Sequence, residues 1–164
     1  MKKLIGVAML AALFSLGAFA QESQKVQVFG GYQFIHESNA GTSANFNGWN
    51  GAADMLFAKH VGVTADFSGT YDQGIHMYTY TFGPVVRTSS HGFSPFAHAL
   101  FGGAHASAAG VGQGGMAMYF GGGADVGSKA LAFRLAQFDW MLTRFNGVNA
   151  NKNVRLSTGV LFRF

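Results

Sequence analysis

The chain has 164 residues, room for one domain, and it contains no Cys, which excludes disulfides, Cys-type zinc sites and a lipidated Cys. Only 11% of residues are charged, against about 25% in ordinary soluble domains, while aromatics reach 15% and 24 residues are Gly. That balance excludes a disordered chain and an ordinary soluble surface, and past residue 20 no apolar run is long enough for a transmembrane helix.

The N-terminus reads first. Lys2 and Lys3, the apolar run Leu4 to Leu16 and the small-x-small triplet Ala18-Phe19-Ala20 follow the order of a secretory signal peptide, cut between Ala20 and Gln21. The alternative, a membrane anchor, is disfavoured by the short run and the good cleavage site. Residues 1–20 are thus expected to be a leader and 21–164 a single domain. Without Lys2 and Lys3, nine basic residues face seven acidic ones, a formal charge of +2. With no basic cluster, that charge gives no case for nucleic acid.

Eight strand-like segments follow, marked by period-2 alternation between Gly, Asn, Ser and Asp clusters. They are 25–36, 47–58, 61–72, 76–88, 94–108, 116–127, 131–145 and 153–164. A tilted membrane-crossing strand needs ~9–11 residues, whereas a soluble strand has ~5–6. No segment carries a 3.6 period, so no helix is expected after the leader. The connections predict an up-and-down order. Polar linkers at Glu37 to Phe46, Ala109 to Gly115 and Asn146 to Lys152 are expected as long loops on one side. The third connection on that side, Gln73 to Ile75, is short for the pattern. Tight turns near Lys59-His60, at Ser89 to Gly92 and at Ser128-Lys129 are expected on the other side, with both chain ends.

Side-chain parity is the most informative signal. In 61–72 the odd positions are Val61, Val63, Ala65, Phe67, Gly69 and Tyr71, while the even ones include Thr64, Asp66, Ser68 and Thr70. Residues 47–58 set Trp49, Met55 and Phe57 against Asn50 and Asp54; residues 153–164 set Val154, Leu156, Val160, Phe162 and Phe164 against Arg155, Ser157 and Arg163. A charge on a lipid-facing wall costs roughly 2–4 kcal/mol at mid-depth, so the polar set belongs in a lumen. The seventh segment breaks phase, because Arg134 and Asp139 differ in parity. A β-bulge near Ala136-Gln137 would bring both inward, in preference to Arg134 snorkelling from the lipid face. The fifth is ambiguous, since Phe96 and Leu100 share parity with His98; His98 is placed inward.

Aromatics sort by depth. Tyr32, Phe34, Trp49, Tyr71, Tyr78 and Phe145 fall near one set of strand ends, and Phe57, Phe82, Phe96, Phe133, Phe162 and Phe164 near the other, as two interfacial girdles would. Trp140 is also expected to face lipid, among the interfacial aromatics. A soluble sandwich is disfavoured by strand length, and a lipocalin-like barrel by too few charges to cover its outside. The glycines at 102–103 and 121–123 lack a following Lys and helix, so they are not phosphate loops; they give neighbours room to approach.

On Gly121-Gly122-Gly123-Ala124-Asp125-Val126, Arg134-Leu135-Ala136-Gln137-Phe138-Asp139-Trp140 and the ending Arg155 to Phe164, the chain resembles the small eight-stranded outer-membrane β-barrels of the OmpA/OmpX and opacity-porin class. The resemblance runs from Lys25 to Phe164. It implies an all-β, antiparallel up-and-down barrel in the outer membrane, surrounded by lipid and monomeric. It also implies that Phe164 is read by the barrel-assembly machinery. The peptidoglycan-binding domain of larger members has no counterpart in this sequence.

Lumen parity collects Asp54, Asp66, Asp125 and Asp139 with Arg87, Arg134, Arg155 and Arg163. An eight-stranded lumen is just wide enough for side chains to fill, so these charges are expected to pair as a structural plug, with a gated ion path as the sharper alternative. His105-Ala106-Ser107 has the spacing of a lipid hydrolase fragment, but Glu22 and Glu37 lie in the N-terminal tail and first loop, leaving no carboxylate to orient the His. No paired-acid protease site is present, the six His are scattered without metal spacing, and no cofactor is expected. The expected role is structural or surface-interacting in the envelope, ahead of a narrow solute channel and a lipid-modifying enzyme.

Overall fold

Strict in-out alternation with short connections leaves one closed solution, each strand pairing with its sequence neighbours and the last with the first. A computed structural model describes residues 25–39, 42–72, 74–108, 111–145 and 148–164 and shows this closure. The strands are β1 (Lys25–Asn39), β2 (Thr42–Leu56), β3 (Val61–Asp72), β4 (Ile75–Arg87), β5 (Phe93–Ala108), β6 (Val111–Gly127), β7 (Leu131–Phe145) and β8 (Val148–Arg163). All pair antiparallel in the order β1 to β8, and β1 closes on β8 from Gln27↔Arg163 to Glu37↔Asn153. The expected leader, with its Ala20–Gln21 cleavage site, lies outside the described residues.

Two expectations about strand ends are corrected. The polar segments 37–46, 109–115 and 146–152 were expected to be loops, yet most of their residues extend the strands. β1 and β2 pair from Ile35↔Phe46 out to Asn39↔Thr42, β5 and β6 out to Ala108↔Val111, and β7 and β8 out to Phe145↔Val148. Once two strands are zipped, every second residue pair added exchanges two N–H···O=C bonds across the ladder, so Asn, Ser and Gly there do not break it. Phe46 helps to hold one extension, packing against the buried cluster of Ile35, Leu100 and Tyr119. Six strands therefore run 15 to 17 residues. At ~3.4 Å per residue and a tilt near 40°, such strands rise about 40 Å, beyond a lipid-facing band of about 25 Å. The surplus stands as strand-built hairpins at the end opposite the termini.

At the terminus end, the turn after β4 shows why its residues are there. His91 and Gly92 both have positive φ, 49° and 83°, between the bridged pair Ser90↔Phe93. Two successive positive φ values make a type I′ turn, whose twist matches the flanking strands and which suits Gly at its second position.

Alternation sorts the walls as parity indicated. Phe67, Tyr80, Phe82, Phe133, Phe138, Trp140 and Phe162 are exposed on the outer wall, while Thr64, Asp66, Ser68, Arg134, Asp139 and Arg155 are buried inside. β7 keeps both charges inside through a bulge. Against β6 the pairing steps from Ala124↔Ala136 to Asp125↔Arg134, and against β8 from Arg134↔Gly159 to Gln137↔Ser157. The extra residue falls at Leu135-Ala136, beside the position inferred from parity, and Leu135 points outward. Deleting Leu135 should force one of the flanking charges onto the lipid wall at a cost of roughly 2–4 kcal/mol. The deletion is expected to lose the fast-migrating folded band on unheated gels, whereas Leu135→Ala keeps it; equal folded yields would show that the bulge does not set the phase.

Candidate functional site

The lumen brings together residues far apart in sequence because every strand delivers alternate side chains to it. Asp54 (β2), Asp66 (β3), Arg87 (β4), Asp125 (β6), Arg134 and Asp139 (β7) and Arg155 (β8) are all buried there. The Arg155 guanidinium is 0% exposed. It forks onto Asp66, Nη1 to Oδ1 at 2.8 Å and Nη2 to Oδ2 at 3.1 Å. Its Nε and Nη2 reach Asp139 Oδ2 at 2.8 and 2.7 Å. One guanidinium thus ties β3 to β7 across the barrel from β8.

Nearer the terminus end, Arg87 donates to Asp54 Oδ2 at 2.9 Å and, through Nη1, to Asp125 Oδ2. Arg134 Nε donates to Asp125 Oδ1 at 2.8 Å. Gln137 joins the two halves, accepting from Arg134 Nη1 at 2.5 Å and donating to Asp139 Oδ2 at 2.7 Å. Thr64 donates to Asp54 at 2.8 Å and Asn50 to Asp66 at 3.1 Å, closing the ends of one continuous network. In a low dielectric such charge-assisted bonds are short and strong, and an unpaired member would be costly.

One charge expected in this network is elsewhere. Arg163 stands at the rim, donating to the Ser128 carbonyl at 3.0 Å and to Ser94 Oγ at 3.1 Å, and pairs with no carboxylate among the described residues. As the last residue of β8 it lies below the acids, and Asp125 is already shared by Arg87 and Arg134. His98 joins the network instead, its Nε2 donating to Asp139 Oδ1 at 2.8 Å.

A second correction concerns Phe96, expected in an outer girdle. It is 7% exposed and faces the lumen, its ring beneath Arg87 at 4.7 Å and Arg134 at 4.2 Å. Sharing parity with His98, it follows His98 inward, where a ring face offers the guanidinium edges and faces an attractive cover. Phe29 of β1 does the same for Arg134 at 4.2 Å, and Tyr119 of β6 for Arg155 at 4.5 Å.

Sequence reasoning missed the layer above the charges. Ile35, Leu100, Ala104, Ala117, Tyr119 and Met141 form a fully buried apolar cluster inside the barrel. Leu100 and Met141 each lie two residues beyond a network member, His98 and Asp139, so parity placed them inward, but their chemistry resembled a lipid face. Gly121 and Gly123 of β6 stand in the same crowded place, close to the facing β7 backbone as well as to network side chains. A Cβ on Gly121 would lie 2.2 Å from Asp139 Oδ1, and one on Gly123 3.0 Å from Phe96 Cζ.

On the outer wall, Trp49 Nε1 donates to Tyr71 Oη at 3.2 Å and Tyr71 meets Tyr78 at 3.4 Å, a collar over β2, β3 and β4. Tyr32, which donates to Asn47 Oδ1, faces outward on β1. Phe162 and Phe164 are exposed near the other end; the Phe145 side chain lies outside the described residues. His105 and Ser107 both border Gly112, and neither has a carboxylate partner among the described residues. No group of three metal-ligating side chains occurs among the described residues.

Solved outer-membrane barrels share this architecture. Neisserial surface protein A superposes with a TM-score of 0.67 at 14% identity, over 85% of this chain and 97% of that one. This chain has the fold of the small eight-stranded outer-membrane β-barrels. The attachment invasion locus protein Ail of Yersinia pestis, solved with the heparin analogue sucrose octasulfate, gives 0.58 at 18% identity over 86% and 99% of the two chains. The N-terminal barrel of Pseudomonas aeruginosa OprF gives 0.58 at 14% identity over 85% and 97%. No family model matches the chain, and no curated protein does.

Removing Arg155 strands two buried carboxylates. Arg155→Met should lower unfolding free energy in micelles by about 3–5 kcal/mol. The exposed Arg144→Met should stay within about 0.5 kcal/mol. Equal denaturant midpoints for the two would remove the network from the stability of the barrel.

Proposed function

We propose that this chain is an integral outer-membrane protein whose barrel is a closed scaffold, built to stabilise the envelope and to hold its strand-extended hairpins on the outer side. The apolar outer wall between two sets of aromatics supports residence in a bilayer. The observation that carries the closed reading is the lumen filling. The ion-pair network is followed along the axis by the apolar layer of Ile35, Leu100, Tyr119 and Met141, each fully buried. An ion following this path would shed its water against side chains of which only Tyr119 offers an oxygen, and apolar constrictions close pores by dewetting. A narrow channel is therefore the weaker reading. Catalysis is weaker still, since no carboxylate among the described residues is oriented on His105. The surrounding lipid and a monomeric state complete the proposal, with assembly of the barrel directed by its Phe164 end.

Conductance decides between scaffold and channel. Purified protein in a planar bilayer is expected to give no steady, discrete openings. Replacing the layer with small polar residues (Leu100→Ser with Met141→Ser) should introduce brief, noisy openings. Sustained unitary currents from the unaltered protein would overturn the closed reading.

A further inference from the structure

The rim at the terminus end carries chemistry that neither the lumen network nor the lipid wall uses. A cavity of about 950 Å³ opens there, bordered by the turns after β2, β4 and β6 and by the end of β8. Lys59, Lys129 and Arg163 stand on its wall, and Arg87 forms part of its floor. Among the described residues none of its lining is Asp or Glu; Phe164 brings the terminal carboxylate to the same rim. Arg87 is committed to Asp54 and Asp125, but Lys59, Lys129 and Arg163 form no ion pair among the described residues. Arg163 is anchored only by neutral oxygens, the Ser128 carbonyl and Ser94 Oγ, and its buried Nε has no partner among the described residues. Thr88, Ser89, Ser90 and Ser128 add hydroxyl-bearing side chains to the lining. Three cations delivered by three separate elements to one concave mouth, with hydroxyl-bearing residues in its lining, concentrate positive potential there, offset among the described lining residues only by the Phe164 carboxylate.

We propose that this mouth is a binding site for a multivalent phosphate-class anion, held by Lys59, Lys129 and Arg163. The cavity is of the size that takes small-molecule ligands and far exceeds a single phosphate, so the anion enters as part of a larger solute or as the headgroup of an anionic phospholipid in the facing leaflet. Lysine and arginine suit this class: guanidinium donors fork onto phosphate oxygens and ammonium groups act as mobile point charges. The site is separate from the lumen network, whose carboxylates are already satisfied, and it holds whether or not the barrel conducts.

The test is calorimetric titration of inorganic pyrophosphate into the purified protein in a nonionic maltoside. Saturable binding that weakens as salt is raised is expected. Lys59→Gln, Lys129→Gln and Arg163→Gln should each weaken it about two- to fivefold, the worth of an exposed ion pair. Arg144→Gln, at the far end of β7, should leave it unchanged. Because Lys59 and Lys129 are exposed and make no side-chain bond among the described residues, their variants keep the test meaningful even if Arg163→Gln impairs folding. No saturable binding, or equal binding by the Lys59→Gln/Lys129→Gln double variant, overturns the proposal. Nanodiscs of phosphatidylcholine, with and without phosphatidylglycerol, identify the source. Competition by phosphatidylglycerol assigns the site to a lipid headgroup, and undiminished pyrophosphate binding assigns it to a soluble phosphate compound.

Discussion

Four carboxylates buried in one lumen must each meet a donor, and Arg155 is where that demand is met between strands on different sides of the barrel. Its two faces of donors hold Asp66 on β3 and Asp139 on β7 from a third strand, β8. The remaining links depend on it. Asp139 engages His98 and Gln137, Gln137 engages Arg134, and Arg134 shares Asp125 with Arg87. Register in an up-and-down barrel is otherwise a matter of apolar alternation, which a slip of two residues would preserve. A cross-lumen network with fixed partners is not indifferent to such a slip, and this is one way a buried ionic cluster can specify structure.

The bulge in β7 and the glycines of β6 are consequences of the same constraint. Arg134 and Asp139 both need the lumen but stand at opposite parity, so the strand inserts a residue between them. Their neighbours across the β6 pairing then lose bulk: Gly121 faces Asp139 and Gly123 faces Gln137. A side chain at either position would collide with a network residue, a ring or the backbone of the facing strand. Composition that looks loose in sequence is thus the complement of a crowded interior.

The barrel is chemically layered along its axis. Cations line one mouth, paired charges fill the next stretch, and a buried apolar cluster follows before the extended hairpins begin. This order separates two roles that a uniform lumen would merge. On the proposed reading the interior serves rigidity and closure, and binding chemistry is left to the ends.

The primary sequence by itself determined the class of fold, the eight strands, the lumen assignment of all four acids, and the phase break in β7. These rest on period-2 alternation, which is a local property of an extended chain. It also carried the parity of Phe96, Leu100 and Met141, but not their meaning, because an apolar side chain does not announce whether it faces lipid or a plugged lumen. Only the tertiary structure decided that Arg163 stays at the rim while His98 joins the acids. Which cation reaches which carboxylate depends on shear and on strand ends that no local pattern encodes. The polar hairpin residues were misread as loops for the same reason: whether an Asn or Ser ends a strand is decided by the partner already paired beside it.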